Sequence, residues 1–313
     1  MGEIQTKGWE LAIDWRHTFK NGINFGVMAS ISDSKTEVTK WTNNTKIPSY
    51  GATGWWDSSA YKEGMILGDI WGLQFDRFLT KNDFEADGTT LKAGIPDQTK
   101  VFPAGYQFAP GDVLYKDIDG NGKIEKGTQT TAPGDLSVIG NALPRYQLSL
   151  NLDASWKGFD VSAFFQGVLK RNLWAAGNQV LPGFTTGEPY YKGAEDYWRE
   201  DNQDAFYPRP MAYNQGVNGN YSINDRYMLN MAYLRLKSLT IGYSLPKTLL
   251  SKYKVQGLRI YFTGENLFTI DGVKPAIDPE IGIRTVGTSQ DQRNFGRSYP
   301  YQKTISFGLQ LSL

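Results

Sequence analysis

The chain has 313 residues and a formal net charge of +1, long enough for one large β domain or two smaller ones and carrying no global field for nucleic acid or an acidic membrane. Cysteine is absent and His17 is the single histidine, which removes disulfides, thiolate catalysis and any Cys- or His-rich zinc or haem site. Nine Trp, 18 Tyr, 16 Phe and 34 Gly suit sheets and long loops better than helix bundles, and no run of about 18 apolar residues marks a membrane helix.

Seven segments show the two-residue period of a strand. The first, roughly 8–19, sets Trp9, Leu11, Ile13, Trp15 and Phe19 against Glu10, Asp14, Arg16 and Thr18. The second, roughly 22–38, carries Ile23, Phe25, Val27, Ala29 and Ile31 on one face. The third and fourth, roughly 145–156 and 159–170, carry Leu148, Leu150 and Leu152, then Val161, Ala163 and Phe165. The fifth, roughly 231–245, changes phase between Leu236 and Leu239, which a bulge would absorb. The sixth, roughly 257–266, shows Leu258, Ile260 and Phe262; the seventh, from about 302 to the end, shows Ile305, Phe307, Leu309 and Leu311. One face of each segment must meet an apolar medium and the other a polar one.

The connections alternate between short and long. Lys20-Asn21-Gly22 and Lys157-Gly158 are tight hairpin turns, and Pro246 to Gln256 is a somewhat longer link. The other links, roughly 39–144, 171–230 and 267–301, are very long. Short turns on one side and long loops on the other are the habit of outer-membrane barrels. Strands of ten to thirteen residues span a bilayer when tilted. Aromatics beside the short turns (Trp15, Phe19, Trp156, Phe159, Tyr243) suit an interfacial girdle, in which His17 reads as one more belt residue rather than a catalyst. The competing architecture is a soluble sandwich, whose strands and loops are usually shorter.

Two groups of loop residues hold candidate sites. Asp117, Asp119, Asn121 and Glu125 place oxygens at alternate positions around a glycine turn, as a Ca²⁺ loop does. Position twelve is Thr128 rather than a bidentate Glu, and no flanking helices are visible. The alternative is a turn whose Asp and Asn side chains cap their own backbone. The loop aromatics Trp55, Trp56, Trp174, Tyr190, Tyr191, Tyr197, Trp198 and Tyr207 suit stacking on sugar rings, packing on a partner, or forming small cores inside the loops. Of these, Trp55, Trp56, Tyr190 and Tyr191 are the substrate-binding candidates. No spacing selects a pair of catalytic carboxylates, so the expectation is a protein without covalent chemistry and with no required cofactor; calcium at the Asp117–Glu125 loop is a candidate ligand. The alternatives are a secreted, calcium-binding β protein that adheres to carbohydrate and, more remotely, a glycoside hydrolase.

Six stretches resemble one family, the SusC/RagA-type TonB-dependent outer-membrane transporters. They are Tyr61-Lys-Glu-Gly-Met-Ile-Leu-Gly-Asp-Ile-Trp-Gly72, Pro110-Gly-Asp-Val-Leu-Tyr-Lys-Asp-Ile-Asp-Gly-Asn-Gly-Lys-Ile124, Ile139-Gly-Asn-Ala-Leu-Pro144, Tyr233-Leu-Arg-Leu-Lys-Ser-Leu-Thr-Ile-Gly-Tyr-Ser-Leu-Pro246, Gly264-Glu-Asn-Leu-Phe268 and Tyr299-Pro-Tyr-Gln-Lys-Thr-Ile-Ser-Phe-Gly308. They lie in order over nearly the whole chain. The resemblance implies an all-β fold: about seven C-terminal strands of a plugged 22-stranded transmembrane barrel, with long extracellular loops. Residues 1–313 would then be the C-terminal part of one barrel, without signal peptide or plug, and a cleaved, split or separate piece of a longer transporter. It implies outer-membrane import of a large nutrient, glycan or peptide. The implied partners are the remaining N-terminal barrel and plug, TonB acting through that plug, a SusD-like surface lipoprotein as lid, and outer-membrane lipid; nucleic acid is not among them. The final Leu313 departs from the aromatic residue that usually ends such barrels.

Overall fold

A computed structural model describes residues 2–41, 62–129, 132–175, 177, 179–183, 190–211, 217–251, 255–274, 277–280 and 301–313. Seven strands form one antiparallel meander, each hydrogen-bonded to its neighbour in the chain. They are Gly2–Thr18, Asn24–Trp41, Arg145–Trp156, Phe159–Lys170, Tyr233–Ser244, Gly257–Glu265 and Thr304–Ser312, hereafter the first to seventh strands. A short eighth piece, Thr269–Asp271, pairs with the outer end of the fifth. All seven expected strands form, and the first begins earlier than its apolar pattern, at Gly2.

The turns explain the tight hairpins. Lys157 and Gly158 sit at φ 47° and 88°, the two positive values that match a two-residue turn to strand twist. Gly22, at φ 83°, closes the first hairpin while Asn21 Oδ1 accepts the Ile23 N–H at 3.2 Å. The third short link carries the small helix Lys247–Leu250.

The phase change in the fifth strand is a bulge. Phe164 pairs with Ser238 and Phe165 with Leu236, leaving Lys237 unmatched on the fourth strand. Its carbonyl accepts the Asn266 N–H instead, at 3.1 Å. The extra residue keeps Leu234 and Leu236 on the same face as Leu239 and Ile241.

The long loops are folded. Short pairs Asp69–Gly72 with Ser137–Asn141 and Phe75–Phe78 with Val113–Tyr115 brace the first loop. Two hydrophobic cores follow. One centres on Leu73, Leu79, Val113, Tyr115 and Ile124 and takes in Trp198. The other joins Ile70, Leu173, Leu181, Tyr227 and Met231 with Ile277. Each fully buried side chain of this size contributes about 1.5–3 kcal/mol. The cores therefore knit the three loops into one module beyond the outer strand ends.

The Pro110-Gly111-Asp112 turn is the hinge of that packing. Gly111 lies at φ +93°, and a Cβ there would stand 2.5 Å from the Trp198 ring, so no side chain fits. Asp112 is fully buried. It accepts the Tyr106 hydroxyl (2.8 Å), Arg209 Nε (2.9 Å), Asn220 Nδ2 (3.0 Å) and the Ala109 N–H (2.9 Å), which together offset the cost of an interior carboxylate.

Candidate functional site: a two-faced wall and its loop module

Cross-strand register sorts the wall into rows. One row runs Ile13, Ala29, Leu150, Phe165, Leu236. The next row along the strands runs Ala12, Ser30, Ser149, Gln166, Arg235 on the opposite face. Hydroxyls on the polar face bond across strands, Ser30 to Ser149 at 2.8 Å and Asn24 Nδ2 to Ser155 Oγ at 3.1 Å. Most of the apolar face stays uncovered: Ile13 is 55% exposed and Phe262 neighbours an 81% exposed Phe307, while Leu236, beside the bulge, is buried. A water-soluble protein rarely leaves so large a continuous apolar surface bare. Facing acyl chains, it needs no cover.

The band has limits. Trp9 lies opposite Asp33, and Trp156 opposite Phe159. The ten residue steps from Trp9 to Phe19, at ~3.3 Å each and tilted ~40°, give a band of about 25 Å. Asp33, at the outer limit, is held by a two-pronged ion pair from Arg145. His17 stacks on Trp15 at 5.8 Å and meets Phe19 edge-on at 4.6 Å, as a belt residue does.

The acidic loop is arranged differently from the spacing. Asp117 accepts the N–H groups of Gly120 (2.8 Å) and Gly122 (2.7 Å), and Asn121 Oδ1 accepts that of Lys123 (2.8 Å). Glu125 points its carboxylate at Lys100 instead. The third carboxylate beside Asp117 and Asp119 is Asp135, with one oxygen of each within 4.8 Å of the others. Asp135 is buried and accepts the N–H groups of Ile118 and Glu125, both at 2.7 Å. Sequence spacing could not find it, because it enters from the far side of a hairpin. A hard cation suits such a set of carboxylates; so does the self-capped turn, since these N–H groups already occupy one lone pair on most oxygens.

The loop aromatics divide. Trp174, Trp198 and Tyr207 are buried in the two cores, where Tyr207 donates to the Val180 carbonyl at 2.9 Å and burial pushes its hydroxyl up to about 12. Tyr190 and Tyr191 stay exposed and line a recess of about 450 Å³ with Tyr197, Tyr221 and Arg209, within the size range of small-ligand sites. Trp55 and Trp56 lie outside the described residues.

A further cluster joins the fifth strand to the last loop. Arg235 bonds Asp278 at 2.8 Å and Lys237 bonds Glu280 at 2.6 Å. Burial alone would raise the Asp278 carboxyl; bonds from Arg235 and from the Glu280 and Tyr301 N–H groups outweigh it and hold it below the ordinary 3.8. The sequence hinted at one half only, through the phase slip that turned out to be Lys237.

No protein-family model matches the chain. Among curated proteins it is 27% identical over 323 residues to "TonB-dependent receptor P3" and 24% identical over 326 residues to "TonB-dependent receptor P26", both of Formosa agariphila, covering 99% and 100% of this chain. The chain spans 29% of the length of each. Among solved structures, one described as the RagAB peptide transporter superposes with a TM-score of 0.64 at 20% identity, over 99% of this chain and 29% of that one. The RagAB peptide importer in its "open-open" state gives 0.63 at 19% identity. Motifs, sequence relatives and fold thus agree that this chain is similar to a SusC/RagA-type TonB-dependent transporter and has the antiparallel fold of a segment of its barrel.

Proposed function

We propose that this chain is wall and outer loop module of an outer-membrane TonB-dependent transporter that imports a large nutrient, a glycan or a peptide. The single observation that carries the reading is the sorting of rows: apolar and uncovered on one face, hydroxyl, amide and charged on the other. The first and seventh strands each present an unpaired edge among the described residues, and an open edge is costly in lipid. The remaining barrel strands of the same transporter would pair with both. Its plug would fill the polar side and take the pull of TonB, while a SusD-like lipoprotein would seat on the loop module as a lid. Tyr190 and Tyr191 are the proposed cargo contacts. A calcium ion at Asp117, Asp119 and Asp135 is a proposal of the same kind.

Fractionation tests the reading. The polypeptide should resist carbonate extraction from outer membranes, require detergent, and run anomalously on gels until boiled. Recovery as a soluble, folded monomer without detergent would overturn it and favour the secreted, carbohydrate-adhering alternative.

A further inference from the structure

The outer end of the polar face carries a cluster of deeply buried charges. The Arg235 side chain is 4% exposed, Asp278 5% and Glu280 9%. Arg235 Nε donates to Thr269 Oγ1 at 2.8 Å and its Nη2 to Asp278 Oδ1 at 2.8 Å. Lys237, supplied by the bulge, donates to Glu280 Oε2 at 2.6 Å. The Tyr301 ring covers both cations, at 5.2 Å from the Arg235 guanidinium and 4.8 Å from the Lys237 ammonium. One prong on each side makes an ion pair without a hydrogen bond. Arg235 Nη1 and Glu280 Oε1 stand 3.4 Å apart and neither has a hydrogen-bond partner among the described residues.

Position matters as much as chemistry. Glu280 and Tyr301 line a recess of about 500 Å³ together with Ser30, Ser149, Gln166 and Lys237, residues of the polar wall face. Residues 277–280 therefore lie against that face, and we call them the strap. One end is anchored, since Ile277 is buried in the second loop core. Among the described residues, Asp278 and Glu280 are held by their carboxylates on the two cations, and Asp278 also accepts the Tyr301 N–H at 3.2 Å. A planar guanidinium beside a point ammonium is a general receptor for carboxylate or sulfate.

We propose that Arg235 and Lys237 form an anion-binding site in the mouth of the conduit, and that Asp278 and Glu280 occupy it as a tethered, exchangeable ligand. The proposal rests on the reading of the polar face as a lumen. An incoming group bearing a carboxylate or sulfate competes with the strap for the two cations. Tethering gives the strap a high effective concentration, so a cargo with one anion displaces it poorly and a cargo with several displaces it well. Leaving Arg235 buried and unpaired is costly, which keeps the site filled by one occupant or the other. The strap thereby admits polyanionic segments and stays shut to neutral ones.

Hydrogen exchange of the strap in the complete, detergent-solubilised transporter tests this. Millimolar triglutamate should speed exchange across 277–280 at least threefold, while trialanine leaves it unchanged. Lys237→Gln, at a side chain 21% exposed, should fold and lose the response. The Asp278→Asn, Glu280→Gln double variant should bind inorganic sulfate at least tenfold more tightly than the unaltered protein. No acceleration by triglutamate in the unaltered protein, or equal acceleration by trialanine, overturns the proposal whether or not either variant folds. So does a Lys237→Gln protein that responds normally. A transporter that inserts and imports while its strap stays silent refutes this inference alone; a protein that never enters the membrane refutes the lumen reading beneath it.

Discussion

The wall and the loop module solve opposite problems with the same kinds of residue. The module hides its leucines and tyrosines from water in two closed cores, with Leu73, Leu79 and Tyr227 almost wholly buried. The wall leaves Leu11, Ile13, Phe307 and Leu309 open, and in the proposed setting lipid covers them. Its own interior is a set of hydrogen-bonded ladders, and its polar groups meet one another from strand to strand. Exposure within the chain alone therefore does not mark an apolar residue as free of a partner: on the proposed reading the exposed face meets acyl chains.

The contrast can be broken at several points. Leu73→Ala, deep in the module, should cost about 2–5 kcal/mol through lost contacts and a cavity, seen as early proteolysis of the loops while the wall still resists heat. Leu150→Arg, in the middle of the apolar face, should cost about 2–4 kcal/mol in bilayer stability, read by urea unfolding in vesicles; the neighbouring Ser149→Arg, on the polar face, should cost far less. Equal losses from the two would contradict the assignment of faces. Acid should act on the strap. The folded pKa of Asp278 lies below its ordinary 3.8, so its contribution is complete above that value and fades as pH falls through the lowered one. Strap exchange should therefore rise only well into the acid range, and a rise centred above pH 5 would point to another group. Smallest is the acidic loop. Calcium should release heat and raise the melting temperature of the module if Asp117, Asp119 and Asp135 hold it, and Asp135→Asn should abolish both; silence in the calorimeter would leave a self-capped turn.

Strand content was legible because period two survives any register, and the seven apolar stripes needed no knowledge of their neighbours. The bulge showed as a phase slip between Leu236 and Leu239. What stayed hidden depends on long-range closure. Asp135 replaces Glu125 beside Asp117 because a hairpin folds back, and the spacing of a single loop cannot register that. Asp278 and Glu280 find Arg235 and Lys237 across more than 40 residues, with |i−j| of 43 for both bonded pairs. Trp174, Trp198 and Tyr207 carry the same local signature as Tyr190 and Tyr191, and tertiary packing alone separates buried from open.

Lys237 carries one last consequence. The fourth strand has no partner position for it, so excising the residue altogether would bring Leu234, Leu236, Leu239 and Ile241 into unbroken alternation. A one-residue deletion, ordinarily ruinous in a sheet because it inverts every side chain beyond it, should here leave greasy and wet sides where they are. The pleat would lose an irregularity and the polar face would lose an ammonium, so the shortened polypeptide separates what the lattice of strands requires from what the bulge adds to it.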